Sequence, residues 1–251
     1  MSHTMSKNYA ELESMLKELR LPSFVKNYRA FSAQAGQENL PYEDFLKTLV
    51  EEELTGRIQN KIKRLLAAAK FPPLKTLSEF HFEDTPELNK QSLIQLADCN
   101  FIEQAHNICF LGPTGVGKTH LAMALGYEAC KQKYPTIFVP AARLVNELLE
   151  AKKELVLSKV QKRYAHFKLI VIDELGYIPF SREAAHHLFQ FFAECYEKQS
   201  IIVTTNLEFS KWTEFLGDPV MTSALLDRFT HHCHIFPIKA ESYRFKNRGK
   251  A

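Results

Sequence analysis

Apolar residues fall at Tyr42, Phe45, Leu46, Leu49, Val50, Leu54, Ile58, Ile62 and Leu65, the i, i+3/i+4 spacing of one helical face. Pro41 suits the first turn of such a helix, where its missing N–H is not needed. The Pro72-Pro73 pair cannot continue the hydrogen-bond ladder, so the helix must stop near Phe71. The first third of the chain carries helical patterning throughout. The expected division is therefore a small all-helical N-terminal domain over residues 1–71 and a second domain over residues 72–251.

Beyond the prolines the period changes. Short continuous apolar runs, NICFL (107–111), TIFVP (136–140), LIVID (169–173), IIVTT (201–205) and CHIFPI (233–238), alternate with segments of helical length. Such runs indicate strands of a parallel sheet covered by helices on both faces. The expected class is α/β, a doubly wound parallel sheet sandwiched by helices. No internal repeat or low-complexity tract interrupts it.

Composition narrows the setting. The 251 residues are 24% charged and 45% hydrophobic, the balance of a globular protein. The longest apolar runs, such as Leu169–Ile172 and Ile201–Val203, are far too short to cross a bilayer, and the opening MSHTMSKNYAELES has no apolar signal core. The cytoplasm is the expected compartment, with no membrane partner. Five cysteines, Cys99, Cys109, Cys130, Cys195 and Cys233, form no CxxC pair, which argues against a disulfide framework and a zinc ribbon. A formal net charge of +3 permits nucleic-acid contact without requiring it.

The first run leads straight into GPTGVGKT, that is Gly112, Pro113, Thr114, Gly115, Val116, Gly117, Lys118 and Thr119, and then into the amphipathic stretch HLAMALGYEAC. Strand, glycine-rich loop and helix stand in the order a phosphate-binding loop requires. The glycines let backbone N–H groups converge on a phosphate, and the helix N-terminus adds its positive dipole end. Lys118 is placed for the β- and γ-phosphates of ATP and Thr119 for a magnesium ion. LIVIDE supplies Asp173 for the Mg2+ shell and Glu174 to polarise an attacking water. Two carboxylates at a strand end can also cap the next helix. An adjacent Glu favours hydrolysis over transfer to a metabolite hydroxyl, which argues against a small-molecule kinase. A nucleotide-regulated binding module with negligible turnover is the other alternative.

Three further residues extend the site. Asn206, after IIVTT, is a sensor candidate on a strand expected between the two motif strands. Arg228 in TSALLDRF is a candidate arginine finger acting on a neighbouring subunit's nucleotide, with an ordinary Asp227–Arg228 surface pair as the plain alternative. Arg244 in ESYRFK follows the last strand, from where it could reach a γ-phosphate within its own subunit.

The order of the phosphate loop, LIVIDELGYIPF, SIIVTTN and GDPVMTSALLDRFTHHCHIFPIKAESYR resembles the IstB-like helper ATPases of insertion sequences, AAA+ proteins related to the replicative helicase loader DnaC. The match covers about residues 75 to 247 and extends more loosely into the helical part through AAAKFPPLKTLSEFHF. The resemblance implies an AAA+ P-loop NTPase that uses ATP and Mg2+. It implies a homo-oligomer with nucleotide sites at subunit interfaces that assembles on double-stranded DNA and delivers this target to a partner transposase. A helicase loader of the same fold is the nearest rival. By the same resemblance Gly112–Thr119 bind nucleotide, Asp173 and Glu174 serve metal and water, Asn206 and Arg244 sense the γ-phosphate, and Arg228 acts in trans. Thr205 and Ala240 stand where serine and glycine are usual, and neither removes a catalytic group.

Basic residues concentrate twice: Arg57, Lys61, Lys63, Arg64, Lys70 and Lys75 with no acidic neighbour between Leu54 and Ser78, and Lys152, Lys153, Lys159, Lys162 and Arg163 between Arg143 and Lys168. A solvated helix face is the plain alternative for the first. In the AAA+ initiators and loaders that the chain resembles, an extra helical element at the position of the second faces DNA, so the second is favoured for DNA and the first for assembly or partner contact. With no base-reading motif, mainly backbone contacts are expected. The tract His231–His234 invites a metal, but strand alternation would send neighbours to opposite faces, and no second Cys/His cluster completes a set of ligands. Trp212, Phe189, Phe191 and Phe192 are expected to pack in the core or an interface.

Overall fold

The computed structural model describes residues 2–240 and Ser242, with side chains from Tyr9 onward; Arg244 lies outside the described residues. The chain divides into two compact units, Met1–Lys63 and Arg64–Ala251. The helix that ends before the proline pair belongs to both.

The first unit holds α1 (Ser2–Glu18), α2 (Pro22–Glu38) and most of α3 (Tyr42–Ala69). Its core is small: Leu16, Tyr28 and Leu49 are buried, with Phe24, Val25, Phe31 and Phe45 against them. Glu53, only 4% exposed, accepts the Ser23 N–H and Arg57 Nε at 2.8 Å each. Burial pushes the Glu53 carboxyl up, but Arg57 and the Ser23 amide outweigh this and hold it below its ordinary value. The apolar period of α3 splits into two rows. Phe45 and Leu49 turn inward with Glu53, whereas Tyr42, Leu46, Val50, Leu54 and Ile58 stay exposed at a four-residue spacing.

The second unit is built on a five-stranded sheet, all parallel: β1 (Asn107–Leu111), β2 (Thr136–Pro140), β3 (Leu169–Leu175), β4 (Ser200–Thr205) and β5 (Cys233–Pro237), in the order β2-β3-β4-β1-β5. Helices follow in chain order: α4 (Lys90–Leu96), α5 (Asn100–Glu103), α6 (Lys118–Lys131), α7 (Ala141–Lys153), α8 (Leu157–Ala165), α9 (Arg182–Cys195), α10 (Trp212–Leu216) and α11 (Pro219–Thr230). Strand alternation divides the core into two layers. Ile108, Phe110, Phe138, Leu169, Val171, Ile202 and Phe236 share one cluster with Leu121 and Leu125 of α6. Cys109, Ile137, Val139, Ile170, Ile172, Ile201 and Val203 share the other with residues of α7, α9, α10 and α11. Burial on both faces is why β1 to β4 carry their apolar runs, whereas the edge strand β5 is largely exposed, with Phe236 its buried residue. Trp212, Phe191 and Phe192 lie in the second layer, as expected. All five cysteines are free.

Two details place the site. β4 pairs with β1 on one side and β3 on the other, so the ends of the three strands adjoin. At the opposite end, buried Asn107 donates Nδ2 to the Phe229 carbonyl and accepts the Ile201 N–H, both at 2.9 Å, fixing the end of α11 to the sheet.

Candidate functional site

β1 feeds the phosphate loop, and α6 begins at Lys118. Gly117 takes φ 95°, a left-handed conformation that side-chain-bearing residues enter at a cost, and ends the loop as the helix cap. A Cβ at Gly112 would run into the Ile238 carbonyl beyond β5, so close approach also demands glycine there. Lys118, 8% exposed, folds back so that Nζ donates to the Gly112 carbonyl at 2.8 Å and to the Pro113 carbonyl at 2.7 Å.

The loop meets β3 through one buried carboxylate. Asp173 Oδ1 accepts Thr119 Oγ1 at 2.9 Å and Thr204 Oγ1 at 2.5 Å. Thr204 Oγ1 also accepts the Glu174 N–H at 2.9 Å. Burial raises the Asp173 carboxyl above its ordinary value despite the two hydroxyls and Lys118, which favour its charged form. Such a carboxylate is under-compensated, and a cation beside it would supply what is missing. Glu174 has φ 61°, where the register between β3 and β4 shifts, and its side chain is exposed. The irregular backbone turns consecutive carboxylates to different surroundings, Asp173 inward and Glu174 outward.

These groups open on a cleft of about 470 Å³ that Thr114–Thr119, Glu174, Tyr177, Thr204 and Asn206 line at one end and Phe80, His81, Thr85, Met123 and Ala240 line elsewhere. Phe80 rests edge-on against His120, whose Nε2 engages the Thr76 carbonyl at 2.7 Å. Burial holds the His120 imidazole below its ordinary pKa. The cleft thus joins the phosphate loop and Glu174 to an end where Phe80 and Met123 stand among Lys75, Glu79, His81 and Asp84.

The structure brings together the phosphate loop, Asp173, Glu174 and Asn206. It does not bring Arg228 to this cleft. Arg228 Nη1 donates to the Ala224 carbonyl at 2.8 Å, and its guanidinium lies over Phe189 at 5.4 Å. No Asp227–Arg228 ion pair is formed among the described residues, so the plain surface-pair alternative has no structural support. Arg244 lies outside the described residues. Sequence reasoning missed Thr204, Tyr177, whose hydroxyl meets Thr114 Oγ1 at 2.5 Å, and the cleft-lining stretch around Phe80. The strand run IIVTT held the only local signal, a hydroxyl pair at a strand end.

A phosphate loop after β1, an acidic end on β3, and β4 between them define a P-loop NTPase of AAA+ type. The profile of the IstB-like ATP binding protein family matches residues 14–251, and the chain belongs to that family. It is 38% identical over 241 residues to the ATP-binding protein of insertion sequence IS21 from Pseudomonas aeruginosa, covering 96% of this chain and 91% of that one. It is 38% identical over 230 residues to that of IS5376 from Geobacillus stearothermophilus, covering 92% of each. In fold it is similar to the replication initiator DnaA bound to AMPPCP and single-stranded DNA, with TM-score 0.56 and 24% identity over 70% of this chain and 54% of that one. This is an ATP-binding protein associated with insertion sequences. No helix among the described residues is long and apolar enough to cross a membrane.

Proposed function

We propose that this protein is a transposition helper ATPase of the cytoplasm: it assembles as a homo-oligomer on double-stranded DNA, hydrolyses ATP, and delivers the bound target to a partner transposase. The observation that carries the catalytic part is the buried Asp173 carboxylate held by Thr119 and Thr204 beside the exposed Glu174.

Asp173 and Thr119 are the residues that would hold Mg2+, which when bound neutralises phosphate charge. The raised Asp173 pKa fits that use, because burial outweighs the two hydroxyls and Lys118, and a cation beside the carboxylate would favour its charged form. Lys118 exchanges its two loop carbonyls for phosphate oxygens, and Gly112–Thr119 present their N–H groups. Glu174 takes a proton from water as its oxygen attacks the γ-phosphorus, the bond to the β–γ bridging oxygen breaks, and ADP leaves. Asn206 orients the water. Arg228 completes the site of an adjacent copy, and Arg244 acts in its own. The end of the cleft around Phe80 and Met123 takes the base.

For DNA, exposed Lys152, Lys153, Lys159 and Lys162 on α7 and α8 support the reading, whereas Arg163 is engaged by Glu147 at 2.5 Å. A solved DnaA holding single-stranded DNA on this fold is in keeping with it. Residues 1–71 are assigned to assembly or partner contact, and residues 72–251 to the ATPase. Relatives named for insertion sequences favour the transposition helper over a helicase loader.

The test is Glu174→Gln. Hydrolysis should fall by about 10²–10⁴-fold, the scale of a lost general base, while ATP and duplex DNA stay bound in a trapped oligomer. Turnover near wild type would remove Glu174 from the mechanism. A trapped state with no affinity for duplex DNA would remove the DNA part alone.

A further inference from the structure

At the end of the sheet opposite the phosphate loop, three potential metal-ligating side chains converge from two elements. His231 caps the C-terminus of α11, donating its N–H to the Asp227 carbonyl at 3.1 Å. His232 follows, and β5 begins only at Cys233. The strand alternation that separates neighbours therefore does not apply to this pair, and their rings lie 4.1 Å apart. The missing partner is not a cysteine or histidine but Glu197, in the turn after α9. One ligand atom each from Glu197, His231 and His232 lies within 4.8 Å of the others.

We propose that Glu197, His231 and His232 form a binding site for a first-row divalent transition ion of the Zn2+ class, tying the end of α9 to the end of α11. Two imidazoles and one carboxylate suit such an ion, and a fourth position stays open to water. Ligand atoms around a tetrahedral ion with bonds of ~2.0–2.1 Å stand about 3.3 Å apart. All three side chains are exposed, so small torsional changes close the set without disturbing the core. The surroundings fix the rings. The Tyr196 hydroxyl bonds to His231 Nδ1 at 2.9 Å, the outer-shell contact that sets tautomer and orientation in metal-binding histidines. His106, just before β1, stacks on His232 with centroids 5.0 Å apart and planes 16° from parallel. Oxygen-preferring Mg2+ is poorly matched to two imidazoles, which separates this site from the nucleotide cleft. Its consequence is mechanical. Arg228 lies in the last turn of the same helix, so an ion here braces the segment that carries it.

The experiment uses full-length, tag-free, metal-stripped protein in excess Mg2+, titrated with Zn2+ and with Co2+. Calorimetry should give one site per chain, and thermal unfolding should move upward on Zn2+ addition. Glu197→Gln, His231→Gln and His232→Gln should each weaken binding at least tenfold while keeping the wild-type circular dichroism spectrum and melting temperature without metal. Cys233→Ser should bind as wild type, and the Co2+ spectrum should lack thiolate charge transfer. Tyr196→Phe should weaken binding less than loss of any ligand. Absence of stoichiometric binding, retention of binding in the three ligand variants, or its loss in Cys233→Ser would each overturn the site. None of these readouts depends on ATP hydrolysis, so the result stands apart from the catalytic reading.

Discussion

The second unit treats two of its charges, Asp173 and Arg228, in opposite ways. Asp173 is buried at 6% exposure, and one oxygen takes hydroxyls from two elements, Thr119 of α6 and Thr204 of β4. Arg228 is half-buried, and of the five N–H donors of a guanidinium one meets a backbone carbonyl of its own helix. The carboxylate is committed within the chain, and its burial outweighs the help of Lys118 and the two hydroxyls. The arginine has donors in reserve and no acidic partner among the described residues. On the proposed reading, the chain preorganises the metal side of its own site, while Arg228 is held away from that cleft and serves the site of an adjacent copy.

Arg228→Ala tests that contrast most severely. It leaves the phosphate loop and its carboxylate untouched, so ATP binding should persist while hydrolysis falls by about 10³-fold or more, the scale for arginine fingers. Mixing it with Lys118→Ala, which offers a sound Arg228 but no nucleotide, should restore part of the activity. Co-assembled mixtures that stay inactive would end the proposal that Arg228 acts in trans.

The buried side of the comparison is tested by Asp173 and its donors. Because folding raises the Asp173 pKa, the folded state holds that proton more tightly than the unfolded chain does. The associated stability is present at low pH and lost as pH rises through the folded value. Asp173→Asn should therefore raise the melting temperature of the nucleotide-free protein at neutral pH while removing Mg2+-dependent ATP binding. Thr204→Val acts the other way. It strips a donor from Asp173 and an acceptor from the Glu174 N–H, and should cost about 1–3 kcal/mol in denaturant unfolding. If both variants shift stability in the same direction, the buried carboxylate is not the strained group inferred here.

Local spacing made much of this legible. The five apolar runs become the five strands, four of them buried on both faces and β5 an exposed edge, and GPTGVGKT declares itself within eight residues. Thr204 and Tyr177 were not legible, because they reach Asp173 and Thr114 through the pairing of β4 with β3 and the path of the following loop. Glu197 was hidden for the same reason: its partners lie a strand, two helices and a turn away in sequence. The four-residue row from Tyr42 to Ile58 shows the converse limit. Periodicity marked the helix correctly, yet only the row of Phe45 and Leu49 turns inward, because a three-helix unit with so small a core has one inner face to fill.

The smallest effect should come from the exposed link across the cleft, Tyr177 to Thr114. Both hydroxyls border solvent, with Tyr177 47% exposed, so water can replace either partner when the other is removed. A hydrogen bond in that setting contributes about 0.5–1.5 kcal/mol at most. Tyr177→Phe keeps the ring and deletes only the hydroxyl. Its unfolding free energy should stay within about 0.5 kcal/mol of wild type, as for ordinary surface substitutions. Its affinity for ATP should change by less than about tenfold, the equivalent of ~1.4 kcal/mol. The comparison sharpens if Thr204→Val is clearly the more damaging of the two, because both remove one hydroxyl from the same cleft and differ chiefly in burial. Should Tyr177→Phe prove equally costly, the loop would be held in place from its exposed rim, and the buried carboxylate would lose its special standing.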